Sequence, residues 1–319
     1  MSEFVRDHHA LKWRAGIINA EDDHLAVEEP LEIRLGGRRF TLTMRTPGHD
    51  EELVAGFLLA EGFINSRQEL SEIRRLRDAQ GRPDPNALDV ILNVPAAGLR
   101  ERLQRNFSIS SSCGVCGKTS IEALERRISP LTSGARITAG ALFRMPVLMR
   151  EAQAVFSATG GLHAAALFEL DAGHSTTSDA AVIGWSQPVN RTYMPLARSF
   201  AGEGTGEGSG SSSHDANEHN VRLIVLREDV GRHNAVDKVT GYALLRDKVP
   251  LDGTAMMVSG RLSFEIVQKA AAAGIAILCA VSAPSSLAVE LADDVGMTLV
   301  GFLREPNFNV YAGEQRIVC

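Results

Sequence analysis

The sequence predicts an α/β protein: an α+β N-terminal part, then a sheet covered by helices. Three observations carry this expectation. Short apolar runs of strand length, Val221–Leu226, Thr254–Val258, Ile275–Val281 and Met297–Leu303, alternate with helical patterns at Asn234–Arg246, Leu262–Ala273 and Ser285–Val295. Strand and helix taking turns imply right-handed crossovers and a largely parallel sheet. Upstream, paired alternating segments precede a single helix, which is the α+β pattern. The chain of 319 residues has room for two ordinary domains. With 44% hydrophobic and 23% charged residues it can bury a proper core and is not a disordered chain.

The elements follow in order. Leu31–Leu35 and Arg39–Met44 alternate apolar with polar around Gly36-Gly37, a strong two-residue hairpin signal. Asp50 is placed to cap a helix running to Phe63, with Leu53, Phe57, Leu58 and Ile64 at helical spacing. Arg82-Pro83-Asp84-Pro85 reads as a turn before a strand at Ala87–Val94. Ala96–Arg105 reads as a short helix and Phe107–Ser111 as an extended lead into two cysteines. Ile121, Leu124 and Ile128 then put one apolar stripe on a helix that ends near Pro130. Ala152–Leu170 joins the C-terminal sheet, with His163 at the start of an Ala-rich helix. The stretch 202–220, where glycines alternate with small polar residues, is expected as a flexible insertion. The expected division is 1–140 and 141–319.

A formal net charge of −6 supplies no global field toward nucleic acid or anionic membrane. Ala270–Ala283 is too short for a spanning helix. Met1–Arg14 carries Glu3, Arg6, Asp7, Lys12 and Arg14 with no apolar core, unlike a signal peptide. A cytoplasmic location is therefore expected. Four cysteines in so long a chain make no disulfide scaffold. Cys279 reads as a small buried hydrophobe, and Cys319 as a terminal residue without a role.

Cys113 and Cys116 form a C-x-x-C leading into a helix, where unpaired backbone N–H groups and the helix dipole stabilise a thiolate. Lys118 adds positive charge, and Gly114 and Gly117 leave room for a large partner. Three chemistries compete for the pair. Structural zinc needs a second pair of ligands, which Cys279 and Cys319 do not supply by spacing. A dithiol oxidoreductase of the thioredoxin type would carry its pair after the first strand of a much smaller domain. A sulfur carrier would take a sulfane sulfur as a cysteine persulfide and pass it on. The motif alone leaves the last two open.

In the second half, loops at strand-to-helix junctions line the ligand crevice of an α/β sheet. Gly160 and Gly161 precede His163 and permit close backbone approach. Arg227–Lys238 places Arg232 and Lys238 where phosphates could bind, with Asp229 or Asp237 for a base or ribose; His233 lies between them, and Asn234 could instead cap the helix. Ser259-Gly260-Arg261 repeats the design, and Val281–Ser286 repeats it with hydroxyls. Together these describe a crevice for a nucleotide or phosphorylated cofactor, without a P-loop or G-x-G-x-x-G turn. The H-x-E of a zinc deaminase is missing, because Ala165 stands where the glutamate belongs.

Five motifs in order resemble one family, the FdhD formate dehydrogenase accessory sulfurtransferases. They are S-S-C-G-V-C-G-K (Ser111–Lys118), T-G-G-L-H-A-A (Thr159–Ala165), E-D-V-G-R-H-N-A-V-D-K (Glu228–Lys238), S-G-R-L-S-F-E-I-V-Q-K (Ser259–Lys269) and L-V-G-F-L-R (Leu299–Arg304). The resemblance implies a three-layer α/β/α C-terminal domain, cytidine-deaminase-like without the zinc site. It implies sulfur taken from a cysteine desulfurase and passed to the molybdenum (or tungsten) bis-molybdopterin guanine dinucleotide cofactor, which then enters formate dehydrogenase. Cys113 matches the persulfide-carrying position, with Cys116 assisting or protecting. The cofactor-contacting segment matches Phe302, Leu303, Arg304, Glu305, Pro306 and Asn307, where Glu305-Pro306-Asn307 departs from the basic or glycine character expected of the family. A homodimer is implied too. A cofactor-binding chaperone for formate dehydrogenase without sulfur chemistry is the non-enzymatic alternative.

Overall fold

The computed structural model describes residues 4–94, 130–170 and 221–318. It opens on an element the sequence reading did not anticipate, a long antiparallel hairpin of β1 (Val5–Arg14) and β2 (Ile17–Ala26). Ala15 and Gly16, both at positive φ, make its two-residue turn. Its alternation is hard to read because both faces are largely solvated: Leu11 and Trp13 are 74% and 69% exposed.

The hairpin expected around Gly36-Gly37 forms between β3 (Glu29–Leu35) and β4 (Arg38–Arg45), with both glycines at positive φ. Helix α1 (Asp50–Ala60) follows, then β5 (Leu70–Arg77) and β6 (Pro83–Leu92), in a sheet of order β4-β3-β6-β5. Two local expectations need correction. Asp50 does not cap α1; His49, in the left-handed region, is the N-cap and makes no side-chain cap bond. The Asp50 carboxylate is buried and takes Arg45 Nε at 3.0 Å and Arg75 Nη2 at 2.9 Å, and the free energy of pairing buried charges outweighs that of one cap bond. Pro83-Asp84-Pro85 is the start of β6 and not a turn, a place where a missing N–H is tolerated. The expected elements between residues 96 and 128, and the insertion at 202–220, lie outside the described residues.

A short β7 (Ile137–Thr138) leads into α2 (Ala139–Ala152) and α3 (Ala154–Thr159), then β8 (His163–Leu170) and β9 (Val221–Asp229). The alternating series follows: α4 (Arg232–Leu244), β10 (Thr254–Val258), α5 (Phe264–Ala272), β11 (Ile277–Ala280), α6 (Ser286–Asp294) and β12 (Thr298–Arg304). β13 (Asn307–Ala312) turns back on β12, and β14 (Ile317–Val318) pairs with β7. The strands form a six-stranded sheet of order β13-β12-β11-β10-β8-β9.

This sheet is mixed and not largely parallel. Only β10/β11 and β11/β12 run parallel, joined by helical crossovers; β8, β9 and β13 pair antiparallel. His163 opens a strand and not a helix. β8 is buried on both faces, so its alanines carry no period to distinguish the two. Alternate residues divide cleanly between the faces. Ala165 and Leu167 of β8, with Met256 and Val258 of β10, face α4, α5 and α6, whereas Ala164, Ala166, Phe168, Ala255 and Met257 face α2. The three layers are thus helix, sheet, helix.

The core on the α4 side runs without interruption into the four-stranded sheet through α1. α1 and α4 cross at two glycines. A Cβ on Gly56 would lie 1.9 Å from the Asp237 carbonyl oxygen, and one on Gly241 would lie 1.8 Å from that of Glu52. No helix among the described residues is long and apolar enough to cross a membrane.

Candidate functional site

The C-terminal ends of β9 and β10 and the N-terminal end of β8 meet at one edge of the six-stranded sheet, which is where α/β proteins place ligands. Ser259, just past β10, ties this edge together. Its N–H donates to the Ala164 carbonyl at 2.9 Å, and its Oγ accepts from Ala164 N–H at 2.8 Å. His163 is thereby held beside Gly260, where a Cβ would sit 3.6 Å from His163 Nδ1 and 3.6 Å from Arg232 Cδ. Burial and then the positive Arg232 push the His163 pKa below its usual value, so the imidazole is neutral at pH 7. Arg232 Nε is buried and has no hydrogen-bond partner among the described residues.

Arg232 is left unpaired because the acidic groups of its motif are engaged elsewhere. Asp229 is fully buried; it takes Lys238 Nζ at 2.7 Å, Gly231 N–H at 2.8 Å and Asn234 Nδ2 at 2.9 Å. Lys238 also donates to the Thr46 carbonyl at 2.9 Å, fastening α4 to the end of β4. Asp237 binds Lys269 Nζ at 2.9 Å under α4. Asp229, Asp237 and Lys238, expected as ligand contacts, are therefore internal, and Asn234 braces the loop while Gly231 is the N-cap. His233 Nε2 lies 3.0 Å from Glu265 Oε2 and 3.4 Å from Ser263 Oγ, at the start of α5.

Beside this edge lies a cleft of about 480 Å³. Its walls are the last turn of α2, α3 and the Gly160-Gly161-Leu162 turn; its end is formed by His163, Ser259 and Val281. Glu228 fixes α3 by accepting from the N–H groups of Val155 (3.0 Å) and Phe156 (2.7 Å). Arg150 lies over the Phe156 ring, 4.6 Å from its centroid. Sequence reasoning missed Arg150, Gln153 and Phe156, because a helix end without glycine or a charge cluster carries no motif. A second cavity, of about 490 Å³, opens at the start of α1, but most of the charges that line it are engaged: Glu52 pairs with Arg227 and Arg246, and Asp50 with Arg75.

The structure thus brings Gly160, His163 and Ser259 onto one cleft, with Arg232 beside them. Arg261 is exposed on the loop after Ser259 and makes no ion pair among the described residues. Phe302–Asn307 form the β12/β13 hairpin tip at the same edge of the sheet but do not line the cleft. Phe302 has φ of 51° and donates its N–H to the Ser282 carbonyl at 3.2 Å. Arg304, Glu305, Pro306 and Asn307 are exposed, whereas Leu303 is fully buried in the core against α2. Cys113 and Cys116 lie outside the described residues. Cys279 is buried in the sheet as expected, and burial pushes its thiol pKa far up.

A family profile described as the FdhD/NarQ family matches residues 26–179 and 206–318. Among curated proteins, the chain is 46% identical over 310 residues to one named sulfur carrier protein FdhD from Mycolicibacterium paratuberculosis, covering 95% of each. It is 38% identical to a protein of the same name from Saccharolobus solfataricus, covering 98% of this chain and 95% of the other. Among solved structures, one described as a putative formate dehydrogenase accessory protein from Desulfotalea psychrophila superposes with a TM-score of 0.65. It is 25% identical, and the match covers 99% of this chain and 100% of the other.

Proposed function

Since this chain belongs to the FdhD/NarQ family, we propose that it is a sulfur carrier that serves formate dehydrogenase. In this reading Cys113, as the thiolate, attacks the terminal sulfur of a persulfide on a cysteine desulfurase. A new S–S bond forms on Cys113, the donor's S–S bond breaks, and the donor cysteine leaves as a thiolate, so no outside oxidant is needed. The acceptor is the molybdenum (or tungsten) bis-molybdopterin guanine dinucleotide cofactor, received at the edge of the six-stranded sheet before it enters the enzyme. Cys116 assists or shields the transfer. The exchange takes place in the cytoplasm, on a homodimer.

The observation that carries the acceptor side is the unpaired, buried Arg232 Nε beside a cleft with a neutral His163 and a Gly160-Gly161 turn. A guanidinium that makes no ion pair among the described residues suits the phosphates of a nucleotide-tailed substrate. The donor side rests on the C-x-x-C and on the names of the relatives.

Intact-protein mass spectrometry after incubation with a cysteine desulfurase and cysteine tests the carrier. A sulfur-mass adduct that is lost on reduction and absent from Cys113→Ala is the expected result. With an active desulfurase, no adduct on the unmodified protein would overturn the carrier and favour a chaperone that binds the cofactor without sulfur chemistry.

A further inference from the structure

Gln153 sits at the break between α2 and α3 and lines the cleft, yet is only 4% exposed. Its backbone is fully used: its N–H donates to the Arg150 carbonyl at 3.3 Å, and its carbonyl accepts from Ser157 N–H at 3.1 Å and Ser157 Oγ at 2.7 Å. Its side-chain amide has no hydrogen-bond partner among the described residues. Both the donor and the acceptor of this amide are therefore open to a ligand in the cleft that Gln153 lines.

The surroundings say what shape would fill that need. Arg150 stands over the Phe156 ring at 4.6 Å from its centroid and makes no ion pair among the described residues, so its guanidinium and the ring can both serve a planar ligand. Met149 and Leu162, both buried, supply apolar walls. His163, Ser259 and Arg232 stand at the far end. The arrangement suits a flat heterocycle that stacks on Arg150, presents adjacent C=O and N–H groups to Gln153, and carries its polar tail toward Arg232.

We propose that Gln153 is the specificity-determining residue of this cleft, its Nε2 donating to the carbonyl and its Oε1 accepting from the N–H of a lactam edge on the bound ring. This rests on the reading that the cleft receives a nucleotide-tailed pterin cofactor. Both ring systems of such a molecule, guanine and pterin, carry that edge.

Calorimetric titration of the full chain with GDP, 1-methyl-GDP and neopterin tests the assignment. Methylation removes the lactam N–H without any change to the protein, so this arm does not depend on a variant folding. The expected result is that GDP binds more tightly than 1-methyl-GDP by about 5- to 150-fold, the range of one good bidentate contact. Gln153→Ala, checked by its thermal unfolding, should lower GDP affinity by a similar factor and erase the discrimination. The same loss seen with neopterin in place of GDP would support the lactam contact and identify the ring as the pterin. Equal binding of either ligand by the unmodified protein and Gln153→Ala would overturn the role of Gln153 and leave the cofactor reading standing. No binding of any ligand would overturn both.

Discussion

Gly241→Ala opposes a local preference to a tertiary contact, and the two differ in sign. Gly241 lies inside α4 with ordinary helical geometry, where alanine is favoured over glycine by about 1 kcal/mol. If α4 stood alone, the substitution would stabilise the protein. The new methyl would, however, lie 1.8 Å from the Glu52 carbonyl oxygen of α1, and real Cβ atoms essentially never approach within 3.0 Å. α1 and α4 must therefore part by more than an ångström. The obstacle is backbone, so no side chain can swing away, and Gly56 faces the same crossing from the other helix. A gap of that size forfeits at least a quarter to a half of the dispersion energy of each contact across it. The residues losing contact include Leu53, Val54, Val236 and Val239, all fully buried. The cost belongs at the upper end of the overpacking range, about 3 kcal/mol, and the net effect is a loss of about 2 kcal/mol. Urea unfolding followed by far-ultraviolet circular dichroism measures it as a lower midpoint at unchanged slope. Gly56→Ala combined with Gly241→Ala should lose less than the two single losses added, since the first substitution has already opened the crossing. A neutral or stabilised Gly241→Ala would refute the reasoning, because helix propensity alone would then account for it.

Three other outcomes are expected. In Lys269→Met, Asp237 loses the ammonium 2.9 Å away; its carboxyl, already pushed up to about 6 mainly by burial, rises further. An acid whose folded pKa is raised binds more protons folded than unfolded, so stability falls as pH rises; the variant, destabilised by about 3–5 kcal/mol when the carboxyl is charged, should show a larger deficit by urea unfolding at pH 8 than at pH 5. Arg232→Met should weaken GDP binding in calorimetry by about 1.5–3 kcal/mol, and Arg304→Ala at the exposed hairpin tip by less if the phosphates lie in the cleft. Cys113→Ala should abolish activation of formate dehydrogenase in cells while GDP binding and the unfolding midpoint stay as they were.

Periodicity exposed the elements whose two sides differ. The helices of the C-terminal half lie within about a turn of their expected bounds, because each has one apolar face toward the sheet. Four strands of the sheet, β9 to β12, are legible as apolar runs, but their directions are not, since a strand buried on both faces looks alike either way round. β8 shows the limit: His163 to Leu170 has no polar face from which to choose strand over helix. The N-terminal hairpin escaped notice for the opposite reason, being exposed on both sides. At the site, Gly160, His163, Ser259 and Arg232 were legible because glycine and charge at junctions are unusual. Gln153 and Phe156 were not, because their importance comes from a helix break that brings them next to strand ends remote in sequence.

The segment from Glu228 to Lys238 explains why so charged a motif yields only one free cation. Glu228 holds α3 by accepting from the N–H groups of Val155 and Phe156, Asp229 and Lys238 neutralise each other in the interior, and Asp237 answers Lys269. Each of these bonds fixes a different wall: α3, the β4 end, and the packing of α4 on α5. With every carboxylate of the segment engaged elsewhere, Arg232 emerges at the start of α4 with its Nε unpartnered among the described residues. Had Asp229 or Glu228 turned toward Arg232, the charges would have cancelled beside the cleft. The same residues that build the cleft's frame therefore keep its cation unpaired, and a substitution such as Lys238→Met should release Asp229 toward Arg232 and weaken phosphate binding without removing any ligand contact. Restored binding in that variant on adding Asp229→Asn, read by calorimetry with GDP, would establish the coupling; binding unaffected by Lys238→Met would show that Arg232 is kept free by some other means.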